Sequence, residues 1–360
     1  MIEVAEIRDS PDDVAAFLNS ASQTSAGGFL YQRWTGELLS ALLGPYVPDA
    51  PSTAWPSAQW LGAYEGSRLV GTLMTRRLRV RVGHQLGSGG LGSGLSVHPH
   101  HRGHGIARQL IDTARRLLHA EPHGHLCSVG FVDTGPDAAR TWHRTPDIVP
   151  LGMLGWWVHV CDPSRLVRWY PEPLSPRLLH AVAQREPLSR DPPDVPTSAT
   201  LRPWTEADLP AVAALWGRRA DGADLALIWD ADALRPFLRF PQQVHGLVYV
   251  EGGDVIGWIA SCIVEEVGRT SERAANIDFL ATSPGRSDVA TLLLRAALWE
   301  LRRRGVLTVS LLGTHRTPQK AARAAGFLPL PRDVEAVAVY TQPATRPALA
   351  AARRLALVYR

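Results

Sequence analysis

The residues best suited to bind a ligand form a glycine-rich run at positions 102–107, with the sequence RGHGIA. A strand is predicted just before it, at Gly94–Val97. Apolar residues at helical spacing predict a helix from about residue 103 to 119. The first turn of a helix has unpaired N–H groups and the positive end of the helix dipole. Glycine lets the backbone approach a ligand closely, and Arg102 can add a charge-assisted contact. The junction therefore predicts a site for an anion such as a pyrophosphate.

The elements that must position this run occur twice along the chain. Strand and helix patterns follow the order β-α-α-β-β-β-α-β-α-β in each half, which indicates an internal repeat and an α+β class. Prolines at 187, 192, 193 and 196 predict a linker between the halves. We therefore expect an N-terminal domain at 1–184, a Pro-rich linker at 185–199 and a C-terminal domain at 200–360. The last of these should end in a helix at about 348–358.

Composition and charge exclude several classes of protein. The chain has 360 residues, 45% hydrophobic and 20% charged, as expected of a globular protein with a buried core. Three scattered cysteines indicate a reducing compartment, so we expect a cytoplasmic protein with neither a signal peptide nor a membrane span. The net charge of +4 arises after residue 198, because the first half is neutral. This distribution argues against nucleic acid as a partner.

The glycine-rich run resembles the acyl-CoA signature of the GNAT N-acetyltransferase superfamily, Arg/Gln-x-x-Gly-x-Gly/Ala. Arg102, Gly105 and Ala107 match it, and Val97 and Pro99 precede it at the family's spacing. The repeat extends the resemblance over both halves, as in tandem members such as mycothiol synthase and acetyltransferases of antibiotic pathways. The resemblance implies two tandem GNAT folds, each a mixed, mostly antiparallel sheet flanked by helices.

The resemblance implies that the first half uses acetyl-CoA, or another acyl-CoA, as co-substrate. The strand would pair through its backbone with the pantetheine arm, and the loop would hold the pyrophosphate. The residues expected to bind the cofactor are Leu95, Ser96, Val97, Arg102, Gly103, His104, Gly105, Ile106 and Ala107. The preceding glycines at 87–94 allow two interpretations. They make room for a bulky acyl chain or acceptor, or they form a bulge or a mobile loop.

The second half does not keep this loop. When the halves are aligned on Arg286, the glycine positions become Ser287 and Val289, and the Gly/Ala position becomes Thr291. A β-branched side chain where backbone must touch phosphate is a steric block, and Asp288 adds repulsion. We therefore expect a degenerate GNAT fold that shapes or covers the first half.

The resemblance leaves the catalytic acid and base open. GNAT enzymes commonly use a tyrosine on the helix after the fifth strand, and the matching segment 133–148 contains none. His143 is the candidate proton donor and Asp133 the candidate base. A packing histidine and a capping carboxylate are the simpler interpretations of these two residues. Positioning of amine and thioester alone can supply much of the rate.

The acceptor site is expected to include Tyr31, Trp34 and Glu37, on the second helical segment, which borders the acceptor in this fold. Core packing is the alternative for the two aromatic residues, and a solvated carboxylate for Glu37. Four histidines surround the loop, but no cysteine or carboxylate joins them within the motif. We therefore expect no metal site.

The sequence thus predicts an acyltransferase that transfers acetyl from acetyl-CoA to an amine of a small molecule by direct attack, in secondary metabolism. One alternative is a transferase that uses a larger acyl-CoA, a carrier-protein thioester or an aminoacyl-tRNA. The other is a CoA-binding module without turnover. The small-molecule amine is the expected partner, a membrane is not, and a homodimer is left open.

Overall fold

Strands from both halves of the chain form one large sheet with helices on its two faces. The computed structural model describes residues 2–26, 31–43, 58–119, 125–133, 147–170, 191–240, 242–314 and 317–358. The strands are β1 (Ile2–Glu6), β2 (Tyr31–Arg33), β3 (Ala58–Glu65), β4 (Arg68–Val82), β5 (Gln85–Val97), β6 (His125–Asp133), β7 (Ile148–Val160), β8 (Ala199–Pro203), β9 (Leu225–Ile228), β10 (Val244–Glu251), β11 (Asp254–Val267), β12 (Ser271–Thr282), β13 (Thr308–Gly313), β14 (Leu328–Tyr340) and β15 (Leu355–Ala356). The α-helices are α1 (Pro11–Ala26), α2 (Gly36–Leu43), α3 (Ile106–His119), α4 (Pro163–Trp169), α5 (Leu209–Ala220), α6 (Ala231–Leu234), α7 (Ser287–Arg303), α8 (Gln319–Ala324) and α9 (Arg346–Ala351).

The strand order has an internal two-fold pattern. It runs β1-β3-β4-β5-β6-β14-β7-β13-β12-β11-β10-β8, so five strands of each half flank a central pair. In that pair the final long strands of the two halves are exchanged. Strand β14 of the second half pairs with β6 of the first, and β7 of the first pairs with β13 of the second. The predicted repeat and fold class are therefore confirmed, and each half completes the sheet of the other.

Two short strands cross between the halves in the same way. Strand β2 lies between α1 and α2 and pairs with the end of β11 in the second half. Strand β9 lies between α5 and α6 and pairs with the end of β4 in the first half. The helices of one half are thereby held against the sheet of the other.

The predicted linker contains no regular structure in its described part. Residues 191–198 are neither helix nor strand, and β8 begins at Ala199. The sheet nevertheless continues from one half to the other, so the linker does not separate two independent sheets.

The predicted C-terminal helix is wrong in its extent. Helix α9 ends at Ala351, and β15 then pairs in parallel with β9. The carboxylate of Asp224 accepts hydrogen bonds from the backbone N–H groups of Arg353 and Arg354. These bonds replace the ones that a continuing helix would make.

Helix α3 packs by the apolar stripe that its sequence predicts. Ile106, Leu110, Ala114 and Leu118 are buried, whereas Leu117 is exposed. The helix lies over the face of β4 that carries Gly71, because a Cβ on that glycine would lie 3.0 Å from Ile106 Cγ2. In the described part of the chain, no helix is long and apolar enough to cross a membrane.

Candidate active site

The glycine-rich loop connects β5 to α3 through a single 3-10 turn, Pro99–His101. Gly103 and Gly105 have φ values of +80° and +76°, in the left-handed region that favours glycine. A Cβ on either residue would meet no atom within 4 Å. The backbone conformation, not packing, therefore requires these glycines, and the space beside them is open to a ligand.

The charged groups around the loop are mostly basic. Arg102 is exposed, and its Nε donates a hydrogen bond of 3.2 Å to the carbonyl oxygen of Val97. Arg68 Nη2 lies 3.4 Å from His98 Nε2. Burial, and then the positive charge of Arg68, lower the pKa of His98. The loop therefore presents guanidinium charge beside the N-terminus of α3, which suits a phosphate.

Strands β5 and β6 separate below the loop. They pair in parallel only from Ser88 to Leu91, after which β6 continues along β14 and β5 continues along β4. The N–H of His98 donates to β4, so strand alternation turns the N–H of Val97 towards the open side, where the Val97 C=O already accepts from Arg102. An extended ligand can pair with this edge, as the resemblance implies for residues 95–97.

The glycine-rich segment of β5 is a strand with a bulge. Gly94 has φ +60°, the register with β4 shifts there, and Thr72 Oγ1 donates to the Gly94 carbonyl oxygen at 2.8 Å. A Cβ on Gly89 or Gly90 would lie 2.4 or 2.7 Å from side chains of β4. At Gly92 the nearest contact would be 3.6 Å away. The bulge is therefore confirmed, the mobile loop is wrong, and only Gly92 leaves space beside the opening.

The corresponding loop of the second half is occupied by its own side chains. Arg286 donates to the carboxylates of Asp288 and Glu251, with the closest contacts at 3.0 and 2.6 Å. The hydrogen bonds from Arg286 hold the pKa of Asp288 below its usual value. Val289 is buried on the side of α7 that packs on the sheet. A Cβ on Gly257 of β11 would lie 2.6 Å from Val289 Cγ1. An anion at this helix start would meet a carboxylate that is already in place.

The structure describes only some of the other predicted site residues. His143 lies outside the described residues. Asp133 is the last residue of β6, and its side chain also lies outside them. Glu37 is exposed in the first turn of α2, which is the helix expected to border the acceptor.

The predicted helical position of Tyr31 and Trp34 is wrong. Tyr31 begins strand β2, and Trp34 lies between β2 and α2, where its backbone N–H and C=O bond the side chain of Asn19. Pairing of β2 with β11 holds this segment extended. The pairing partner comes from the other half of the chain, so local sequence did not reveal it.

Sequence reasoning missed a serine-histidine pair beside the opening between β5 and β6. His125 Nε2 lies 3.0 Å from Ser128 Oγ, and Ser128 pairs with Gly90 just before the strands separate. The only sequence signal was a histidine three residues before a serine on one strand. Neighbouring Cys127 is fully buried, and burial raises the pKa of its thiol to about 12. The thiol therefore stays protonated and is a poor nucleophile.

Among the described residues, no group of three or more His, Cys, Asp or Glu side chains is arranged to hold a metal ion. The ring centres of His98 and His100 are 5.3 Å apart, and those of His98 and His101 5.6 Å apart. His101 Nε2 lies 3.8 Å from Glu65.

Comparisons with known proteins agree with this geometry. The sequence model of the family described as "Acetyltransferase (GNAT) domain" matches residues 48–132, which include the whole loop. No curated protein sequence matches the chain. Among solved structures, N-myristoyltransferase from Saccharomyces cerevisiae with bound myristoyl-CoA aligns with a TM-score of 0.73 and 14% identity, covering 94% of this chain and 82% of that one.

A tandem GNAT protein from the clavulanic acid biosynthesis pathway aligns with a TM-score of 0.60 and 17% identity, over 95% of this chain and 99% of that one. A GCN5-related N-acetyltransferase from Anabaena variabilis aligns with a TM-score of 0.54 and 12% identity, over 94% and 73%. At these identities the structural likenesses define the fold. Residues 48–132 match the GNAT acetyltransferase domain, and the chain as a whole has the fold of tandem GNAT proteins. The domain match and the fold together support an N-acyltransferase.

Proposed function

We propose that the protein transfers an acetyl group from acetyl-CoA to the amine of a small molecule. The observation that carries this proposal is the loop at 102–107. Its two left-handed glycines border open space at the start of a 14-residue helix. Backbone N–H groups there can bind a pyrophosphate, and no protein carboxylate competes for them among the described residues of the first helical turn.

The chain's own residues suit direct attack by the amine. Val97 would pair with the pantetheine arm, and Arg102 would hold a phosphate beside the strand end. The thioester would then lie in the opening between β5 and β6. The amine nitrogen attacks the carbonyl carbon, and the carbon–sulfur bond breaks as the intermediate collapses. The buried, protonated Cys127 thiol argues against a covalent acyl-enzyme on that residue.

Packing below the opening supports a short acyl group. Side chains of β4 fill the space beside Gly89 and Gly90, and Met74 fills the space beside Gly94. These contacts leave little room for an acyl chain beside the three glycines. We therefore favour acetyl over a larger acyl-CoA.

We also propose an acceptor side and the groups that transfer protons. We assign Trp34, Tyr31 and Glu37 to the acceptor site because β2 and α2 lie next to each other, and we keep His143 as the acid and Asp133 as the base. The neutral first half argues against an aminoacyl-tRNA donor. A small-molecule amine of secondary metabolism, acetylated in the cytoplasm, remains the proposed acceptor.

Titration calorimetry of acetyl-CoA into the protein tests the proposal. We expect one site per chain, lost in Gly105→Val, together with thiol release when a panel of primary amines is added. Two sites per chain would show that the second half also binds. Binding without thiol release from any amine would favour the CoA-binding module. An absence of binding would refute the proposed donor and favour a carrier-protein or aminoacyl-tRNA thioester.

A further inference from the structure

The surroundings of the serine-histidine pair of β6 favour one direction of hydrogen bonding. His125 is 1% exposed, and its Nε2 lies 3.0 Å from Ser128 Oγ. Its Nδ1 is buried and has no hydrogen-bond partner among the described residues. A buried N–H without an acceptor costs more than a buried lone pair without a donor. The proton of a neutral His125 therefore belongs on Nε2, where it is donated to Ser128.

The surroundings keep His125 neutral. Burial, and then the positive charge of Arg77, lower its pKa to about 4. The ring therefore carries one proton at neutral pH. Because the Ser128 oxygen accepts that proton as a hydrogen bond, the hydroxyl proton of Ser128 is free to point elsewhere.

Ser128 lies beside the opening between the separating strands. It pairs with Gly90, one step before the last parallel pair, Leu91 with Val129. The next residues on the same face of the two strands are Gly92 and Gly130, which have no side chain. The Ser128 hydroxyl is therefore the first polar side-chain group of β6 at the base of the opening, and the residue is only partly buried.

This face of the sheet is also the face of the glycine-rich loop. Gly71, which packs against Ile106 of α3, shares a face of β4 with Thr75 and Arg77. Those two residues pair with Gly92 and Gly90. Ser128 therefore faces the same side of the sheet as the helix whose N-terminus is proposed to hold the pyrophosphate.

We propose that Ser128 donates a hydrogen bond to the acyl carbonyl oxygen, and that His125 is the positioning residue that directs the Ser128 hydroxyl into the opening. This inference rests on the proposed function. The amine nitrogen forms the new bond to carbon, and the carbonyl electron pair becomes the oxyanion, which Ser128 stabilises. On collapse, the thiolate leaves and the proton released by the nitrogen returns to sulfur. Ser128 keeps its own proton throughout.

The test compares Ser128→Ala with Ser310→Ala. Ser310 pairs with Asn276 one step before the last parallel pair of the second half, but Leu307 stands three residues before it in place of a histidine. With acetyl-CoA and the fastest amine of the panel, Ser128→Ala should lower kcat by about 100-fold, the usual effect of losing one such donor. KM for acetyl-CoA and its calorimetric affinity should not change. Ser310→Ala should leave kcat unchanged.

Histidine variants test the positioning role. His125→Leu should lower kcat about as much as Ser128→Ala, whereas His125→Gln, which keeps a side-chain N–H, should restore most of it. Combining His125→Leu with Ser128→Ala should cost no more than Ser128→Ala alone, because the histidine acts through the serine.

Unchanged kcat in Ser128→Ala, with acetyl-CoA still bound, would overturn this inference and leave the proposed function standing. Additive losses in the double variant would overturn the positioning role of His125. If the unmodified protein fails to bind acetyl-CoA, the proposed function fails first, and this inference fails with it.

Discussion

The strand-to-helix junctions of the two halves share a backbone course and differ in chemistry. Gly103 in the first junction and Gly285 in the second both have φ +80°. In the first, α3 begins with no acidic residue in its described first turn. In the second, α7 begins with Asp288, which bonds Arg286. The positive end of one helix is open to a ligand, and that of the other is neutralised by the chain itself.

The sheet beneath the two junctions does not differ in the same way. Strands β12 and β13 also separate, after Ile277 and Leu311, as β5 and β6 do after Leu91 and Val129. Two similar openings therefore carry one loop suited to phosphate and one unsuited to it. The fold therefore supplies the opening, whereas a few loop residues decide whether an acyl-CoA can bind there.

The largest effect is expected from valine at Gly103 and Gly285, the two glycines with φ +80°. Gly103→Val and Gly285→Val impose the same left-handed strain, about 1–2 kcal/mol each, and neither Cβ meets another atom. We expect Gly103→Val to lose all calorimetrically detectable acetyl-CoA binding and Gly285→Val to keep the affinity of the unmodified protein. Both should show a similar fall in melting temperature.

Equal loss of affinity in the two valine variants would show that binding depends on general stability and not on the first loop. Retained affinity in Gly103→Val would move the pyrophosphate site away from this loop.

The contact between the halves gives the second test, on stability. The guanidinium of Arg76, 1% exposed, lies 4.7 Å from the ring centres of Trp229 and Phe237 and donates to the Ala233 carbonyl oxygen at 2.6 Å. Arg76→Ala should lower the free energy of unfolding by about 3 kcal/mol, because it removes a buried charge from its partners. Arg79→Ala, at an exposed position of the same strand, should change it by less than about 0.5 kcal/mol. Urea unfolding measures both.

A small effect of Arg76→Ala would mean that the second half does not depend on this contact, and that the strands paired between the halves are enough to hold them together.

Each half also contains a buried histidine that makes stability depend on pH. Burial first, and then a nearby arginine, lower the pKa of His125 and of His245 to about 4. Below pH 6.5 the unfolded chain binds a proton at each site that the folded chain does not, so stability falls as pH falls towards 4. Between pH 6.5 and 5 each histidine should cost about 2 kcal/mol.

Urea unfolding at pH 7.5 and pH 5 of His125→Gln and His245→Gln measures these contributions. Each variant should lose less stability on acidification than the unmodified protein, by about the amount given for one histidine. The same acid loss in a variant would show that its histidine is protonated in the folded state.

The smallest expected effect is at the second helix start. Asp288→Asn removes a negative charge from the first turn of α7 and should lower the free energy of unfolding by about 0.5 kcal/mol. It should not create acetyl-CoA binding, because Arg286 stays paired with the Glu251 carboxylate at 2.6 Å. A second calorimetric site in this variant would show that the Arg286–Glu251 pair does not exclude an anion from this helix start.

Much of the fold and of the proposed cofactor loop followed from local patterns. The left-handed glycines, the stripe of α3 and the repeated order of elements all depend on residues within a few positions of each other. The bulge at Gly94 was one of two interpretations and needed the structure to choose it. Tyr31 and Trp34 were predicted on a helix. They lie in and beside β2 because β2 pairs with β11, a strand that is far away in sequence.

The sequence by itself determined where a phosphate could meet a helix start, because the φ preference of glycine and the unpaired N–H groups of a first turn are local properties. The exchange of β7 and β14, the position of β2 and the location of His125 beside the opening depend on contacts between residues that are distant in sequence. Arg33 bonds Glu265 from 232 residues away. Such pairings depend on which strand edges the two halves offer each other, and no local pattern encodes that.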